Sequence, residues 1–426
     1  MRTPAAVAAV LAVTGAALTW APAASATTAC APHPLGTAGR YAEFVEKDSV
    51  RHSDSEGAVA VGGDATFGSP EQRSGFSVGS RLTSADLAAL PGGHSLVVGG
   101  TLYANQVVLD KGTGVAGKVV DRSTQGAGFG VDGDKVKEGP SPVDFGKEFT
   151  ALRALSTGWA GVTPNGTVAG SGDGLFLTGT DRRLNVFAVA AADLEKARAI
   201  TLKVPAGAST LVNVLGAAYD MNASGTYGVY YQGASGAPVI DDYDLPGDEL
   251  RQIRAGLLWN FPQARSVKKN HTSWPGTILA PNATVEMGGK GVGPGHVNGS
   301  VIAEKLLTVP GAETHQMNFS GCLPKPATPG PVVTPEQPKP TETPVPTAST
   351  PTGTAAPKPS SPATSAPAPS ESSSGAAPAP APSSTPEGDL ATTGSSLGPG
   401  AMGVAGAAVL VGGGFLAFAK LRKRAS

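Results

Sequence analysis

Gly276-Thr277-Ile278-Leu279-Ala280-Pro281 is echoed 23 residues later by Gly299-Ser300-Val301-Ile302-Ala303-Glu304. Each copy sets a short run of β-branched and small apolar residues behind a glycine corner. Two earlier stretches share the style. Gly57-Ala58-Val59-Ala60-Val61-Gly62-Gly63 leads into Asp64-Ala65-Thr66-Phe67, and Leu96-Val97-Val98-Gly99-Gly100 leads into Thr101-Leu102-Tyr103. Short strands with small-residue corners at a period of about twenty suit the rung of a parallel β-solenoid. Each rung then buries its apolar side against its neighbours. Residues 106–120 continue the valine and glycine texture without a strict repeat. An antiparallel sandwich is the alternative that short strands and many turns also allow.

Helical spacing interrupts the strands. In 142–155, Phe145, Phe149, Leu152 and Leu155 share one face, and Ser141 ahead of Pro142 is a suitable start. Leu250, Ile253 and Leu257 form a stripe in 246–257, and 87–90 suits a short helical turn. The expected fold class is mainly β, a parallel β-solenoid-like domain with packing helices. A disordered Pro-rich stalk and a C-terminal transmembrane segment follow it.

The ends of the chain set its address. Residues 1–26 have the form of a secretory signal: Arg2, an apolar run over 5–20, then Ala24-Ser25-Ala26 as a small-residue cleavage site with Ala26 last. Thr27-Thr28-Ala29 before Cys30 is no lipobox. At the other end, Leu390-Ala391-Thr392-Thr393-Gly394 precedes an uncharged 19-residue span, 401–419, and the basic residues Lys420, Arg422, Lys423 and Arg424. A bilayer core takes roughly 20 apolar residues as a helix, and the basic cluster suits a cytoplasmic stop. This order of pentapeptide, span and basic tail resembles the sorting signal of sortase substrates in Gram-positive bacteria. With Ala391 in second place it resembles the LAXTG form recognised by class E sortases of high-GC actinobacteria. The resemblance implies cleavage between Thr393 and Gly394 by a transient sortase partner. Thr393 would then be joined covalently to peptidoglycan, and membrane contact would last only until sorting.

Composition places the working part between these ends. Charged residues make up 15% and the net charge is −1, which points away from nucleic-acid partners. Residues 324–388 are mostly Pro, Ala, Ser and Thr. Such a segment cannot bury enough surface to offset its ordering entropy, and as an extended stalk it reaches on the order of 200 Å at most. The expected domains are thus 1–26 signal, 27–323 solenoid, 324–388 stalk and 389–426 sorting signal. The two cysteines, Cys30 and Cys322, bracket the folded part. On an oxidising side of the membrane a disulfide between them is expected, and the chain-entropy model assigns such a loop about 5 kcal/mol.

The run 57–64, Leu258-Trp259-Asn260-Phe261, Gly276-Thr277-Ile278-Leu279-Ala280-Pro281-Asn282-Ala283, Asn298-Gly299-Ser300-Val301-Ile302-Ala303, and Glu313-Thr314-His315 with Phe319 resemble the choice-of-anchor A domain of bacterial surface proteins. The likeness covers most of 35–321. Some members of that family are collagen-adhesin-like. Ile278-Leu279-Ala280-Pro281-Asn282-Ala283 is also similar to the solenoid of ice-binding-like adhesion domains. The resemblance supplies no catalytic residues.

Candidate chemistry is sparse. None of His33, His52, His94, His271, His296 and His315 sits in a metal-protease or hydrolase motif. Glu313 with His315 is the most site-like pair. Asp132-Gly133-Asp134 and Asp241-Asp242-Tyr243-Asp244 offer hard oxygens for calcium, though neither completes an EF-hand loop and solvated turns are the default. Trp259 and Phe261 could form a sugar platform, but their pattern favours core. The sequons at Asn165 and Asn282 carry little meaning in the bacterial source that the sorting-signal resemblance implies. No metal and no cofactor are expected. The expected function is a secreted, sortase-anchored cell-wall surface protein, exposed outside a Gram-positive cell, with a non-enzymatic adhesion or structural role. The alternative is a surface enzyme acting on polysaccharide from a β-helix scaffold, which needs a carboxylate cluster on one face. Ice binding needs flat threonine-rich faces, and threonine here is too sparse.

Overall fold

The echoed strands pair in parallel register, Ile278 with Val301 and Leu279 with Ile302, so their 23-residue offset is one turn of a solenoid. This is seen in a computed structural model that describes residues 33–68, 76–105, 107–122, 135–233, 236–243, 247–289 and 291–324. Ala26, Cys30, Asp132-Gly133-Asp134, Asp244, the stalk beyond Pro324, the pentapeptide 390–394 and the span 401–419 lie outside them. Among the described residues no helix is long and apolar enough to cross a membrane.

The solenoid has three walls. In strand Thr277–Met287 the first five residues are all buried, and the rest alternate buried with half-exposed. The first half lies in the first wall, whose two faces are both covered. Ile278 and Ala280 point into the interior core, and Leu279 points out into a second apolar layer with Phe44, Phe149 and Ile302. A wall covered on both sides has a continuous apolar run. The second half lies in the second wall, where Ala283, Val285 and Met287 face in and Thr284 and Glu286 face out. Alternation there marks one open face. The third wall holds Trp274–Pro275, Val297–Gly299 and Thr314–Gln316. Lower down it holds Gly174–Thr178, Ala199–Lys203 and Gly228–Tyr231, whose Leu177, Ile200 and Val229 enter the same interior core.

The rungs do not stack in chain order. Glu43–Val45 pairs on one side with Val59–Val61 and on the other with the start of Val301–Thr308. The chain therefore climbs from its first rung to Val136–Glu138, returns to the far end, and climbs again from Leu184–Ala190. The second climb ends against the first rung. The return is made by a helix, Phe145–Ala160. Between Phe145 and Trp159 it rises about 21 Å, against about 19 Å for four rung spacings. Its contacts descend in step. Phe145 and Phe149 stack on Phe44 at 5.2 and 5.5 Å. Arg153 is held by Glu46 and by Asn282 at 2.9 Å. Asn260 donates to the Ser156 carbonyl and Asn213 to that of Trp159.

The observed elements adjust several expectations. The helix expected at 142–155 starts at Phe145 because Asp144 caps it, accepting from the Lys147 amide at 3.0 Å. It runs on to Ala160 because Trp159 is buried against the wall. The helix expected at 246–257 spans Asp248–Gly256, and Leu257 instead begins a strand. The turn at 87–90 belongs to Ser84–Ala89, started by a Thr83–Asp86 capping box. The period near twenty holds only where nothing is inserted. Val59 pairs with Leu96 and Thr210 with Leu257, offsets of 37 and 47 residues.

Candidate functional site

The third wall is broken between Gly228–Tyr231 and Trp274–Pro275, and a polar cluster fills the break. Gly228–Tyr231 pairs not with the next rung but antiparallel with Val239–Ile240. The chain then turns inward at Asp241, which is buried. Its amide donates to the Val229 carbonyl at 2.7 Å. Its Oδ1 accepts from Arg254 Nε at 2.7 Å, and its Oδ2 accepts from Ser273 Oγ and Asn298 Nδ2, both at 2.8 Å. Arg254 is as buried as its partner. A charge this far from water has to be paired and fully hydrogen-bonded, and Asp241 is. The calcium reading of 241–244 is thereby replaced, as far as Asp241 is concerned, by a buried ion pair that joins the two halves of the wall.

The network continues to the pair singled out in the sequence. Asn298 Oδ1 meets His315 Nδ1 at 2.9 Å, and His315 Nε2 meets Glu313 Oε2 at 3.2 Å. The third wall makes this possible, since Asn298 and His315 are register partners on adjacent strands. The His315 ring lies between Tyr243, at 3.7 Å between centroids, and His296, at 5.0 Å and nearly parallel. The close contact with His315 lowers the Glu313 pKa, and burial lowers that of His296. Burial, then the Glu56 carboxylate that its hydroxyl contacts, raise the pKa of the Tyr243 phenol. Arg81 donates to both Glu56 and Tyr243. His296 Nδ1 is buried without a hydrogen-bond partner, a situation that costs about 1–3 kcal/mol when nothing else answers it.

Of the residues picked out in the sequence, Glu313 and His315 are brought together. His296 joins them, and no local motif signals that, because it comes from the preceding rung. His94 bonds Thr113 instead, and His271 is exposed. Trp259 is core, its indole N–H given to the Pro275 carbonyl, and Phe261 is buried with it. Asn282 is spent on Arg153 and the Pro262 carbonyl. The Cys322 amide donates to Ser209 Oγ at 2.6 Å, while Cys30, the expected disulfide partner, lies outside the described residues. Two grooves of about 620 and 660 Å³ flank Cys322, one including Arg40 and Phe319, the other Arg182 and Arg251.

A family model described as "Putative Ice-binding-like adhesive domain" matches residues 34–316. That span nearly coincides with the resemblance drawn from the sequence, but the matching description is the ice-binding-like adhesive domain and not choice-of-anchor A. Among solved structures, an ice-binding protein from the Antarctic ascomycete Antarctomyces psychrotrophicus is 12% identical with a TM-score of 0.31, over 66% of this chain and 97% of that one. An ice-binding protein from an Antarctic biological consortium is 13% identical with a TM-score of 0.25, over 68% and 92%. The ice-binding protein LeIBP from an Arctic yeast is 11% identical, also at 0.25, over 69% and 96%. No curated protein matches the chain.

Proposed function

The chain belongs to the ice-binding-like adhesive domain family, and on that premise we propose that it is an exported, non-enzymatic adhesive surface protein whose second wall is the contact face. The observation that carries this reading is the open side of that wall. The first wall is covered by the helix Phe145–Ala160, and Tyr243 packs on His315 of the third. The second keeps a regular outward column in which Leu307 pairs with Val50, Val50 with Thr66, Thr66 with Tyr103 and Tyr103 with Val120. These side chains stand about 4.8 Å apart, rung to rung. Leu307 is 38% exposed, and the Arg122 guanidinium lies 4.1 Å over the Tyr103 ring. Below Leu307 the column turns charged, at Glu286 and Lys268. A flat apolar strip with a charged end suits a broad macromolecular or solid surface. Thr66, Thr101 and Thr284 are scattered over the wall and form no threonine array, so adhesion is preferred to ice binding.

Anchoring completes the proposal. After export and removal of 1–26, a sortase recognises Leu390-Ala391-Thr392-Thr393-Gly394 and joins Thr393 to peptidoglycan. The stalk 324–388 then carries the solenoid outward, with Cys30 bonded to Cys322 at its base. The support is the order of sequence features at both ends together with a family of adhesive domains.

Two measurements test it. Cells displaying the full chain are expected to lose about tenfold or more in retention on protein- or polysaccharide-coated surfaces when Leu307 and Tyr103 are both changed to Asp. Unchanged retention by the folded variant, or turnover of a polysaccharide, overturns the adhesive reading. Mass spectrometry of wall digests is expected to find Thr393 as the C-terminus bearing a wall fragment. Intact chain through Ser426 in the membrane overturns the anchoring.

A further inference from the structure

We propose that His296, Glu313 and His315 form a three-ligand site for a first-row divalent transition ion of the zinc class, tying two rungs of the third wall together. One donor atom from each residue lies within 4.8 Å of the others. His296 immediately precedes the strand Val297–Gly299, while Glu313 and His315 lie at the start of the next strand in the wall, so the ion would bridge adjacent rungs.

The hydrogen bonds around His315 carry the argument. Asn298 Nδ2 donates to the Asp241 carboxylate and to Ser273 Oγ. Turning the amide over would set its oxygen against that carboxylate. Asn298 Oδ1 therefore faces His315, and His315 Nδ1 must carry the proton it donates. In neutral His315 the lone pair then sits on Nε2, 3.2 Å from a Glu313 oxygen that also holds only lone pairs. Two acceptors cannot face each other at that distance unless something positive lies between them, a proton or a metal ion.

Two further observations favour the metal. A ligating histidine characteristically gives its other ring N–H to a fixed carbonyl or carboxylate, and the chain Asp241–Asn298–His315 has that form. His296 Nδ1 is buried with no hydrogen-bond partner, so a ring nitrogen beside the Glu313–His315 pair is left without a protein acceptor or donor. The access is right as well. The His315 side chain is 5% exposed and that of Glu313 is 36% exposed, so one ligand is anchored and another can close from the solvent side. Two imidazole nitrogens and one carboxylate oxygen suit zinc, and leave one position of a tetrahedron for water. Bonds of about 2.0–2.2 Å need donors roughly 3.3 Å apart, a closure that His296 and Glu313 can supply at the edge of the wall.

The test uses the full chain after chelator treatment, titrated with Zn²⁺ by calorimetry and with Co²⁺ by visible absorption. One ion per chain, tetrahedral-type Co²⁺ bands and a raised thermal midpoint are expected, with Ca²⁺ and Mg²⁺ failing to compete. His296→Gln and Glu313→Gln, both at half-buried positions, should each weaken binding about tenfold or more, and Asn298→Leu, acting through His315, by roughly tenfold. The proposal is overturned if the wild-type chain takes up no ion, which leaves a proton in the gap. It is also overturned if uptake persists unchanged in the folded His296→Gln, Glu313→Gln double variant.

Discussion

Lys269 shows how the interior of the second wall sets the charge of a single residue. It lies at the end of Ser266–Lys269 and is buried, with its Nζ donating to the Asn270 and Thr272 carbonyls. Burial lowers its pKa from 10.5 to about 7, against the opposing pull of Asp241. The sign follows from proton counting. Between about pH 7 and 10.5 the unfolded chain holds a proton at this site that the folded chain has released, so stability rises with pH across that window. Below about pH 7 both states are protonated and the full penalty of burying the charge is present. Urea unfolding of the wild-type chain and of Lys269→Met should therefore differ by a term that changes by up to roughly 1.4 kcal/mol per pH unit in that window. A pH-independent difference would mean that Lys269 keeps its charge when folded. Glu313 and His315 are two residues apart where one strand begins, so their pairing is legible in the sequence. Asp241 looks like part of a solvated turn or a calcium oxygen donor in the sequence, because nothing local reveals that Arg254, Ser273 and Asn298 converge on it.

At the scale of the element, glycine corners decide how closely rungs approach. Gly62, Gly99 and Gly117 stack on one another, and a Cβ added at Gly99 would lie 2.3 Å from the Gly62 carbonyl oxygen. Gly99 has no left-handed backbone that only glycine tolerates, so the requirement is purely one of space. Gly99→Ala should cost about 1–3 kcal/mol in urea unfolding, the usual range for overpacking. A cost within a few tenths would show that the corner can open freely. The strand Thr277–Met287 makes a related point. Its continuous apolar start and alternating end are both visible in the sequence, but they become a covered wall and an open wall only once the helix Phe145–Ala160 is placed. That helix was legible from its Phe145, Phe149 and Leu152 spacing. Its length gained a reason only in three dimensions, where it has to reach from the first rung down to Ser209–Leu215.

For the whole molecule, the seating of the first rung on the last makes two climbs into one cooperative body. Phe44 sits at that junction, under both Phe145 and Phe149. Phe44→Ala should cost about 3–5 kcal/mol, and native-state hydrogen exchange should speed up in both 59–121 and 184–308. A response confined to one climb would show two independently folding arrays, as nearest-neighbour repeat proteins allow. The sequence by itself determined the strand repeat, the solenoid class and the helices, because β-branched runs, glycine corners and helical spacing act over a few residues. It also carries the pattern of leader, stalk and pentapeptide on which the anchoring proposal rests. Only the tertiary structure decided the rung order, the open second wall and the meeting of His296 with Glu313 and His315. The physical reason is that every parallel rung presents the same backbone edge of N–H and C=O groups. Which edges meet is settled by the packing of distant side chains, and no local run of residues encodes that choice.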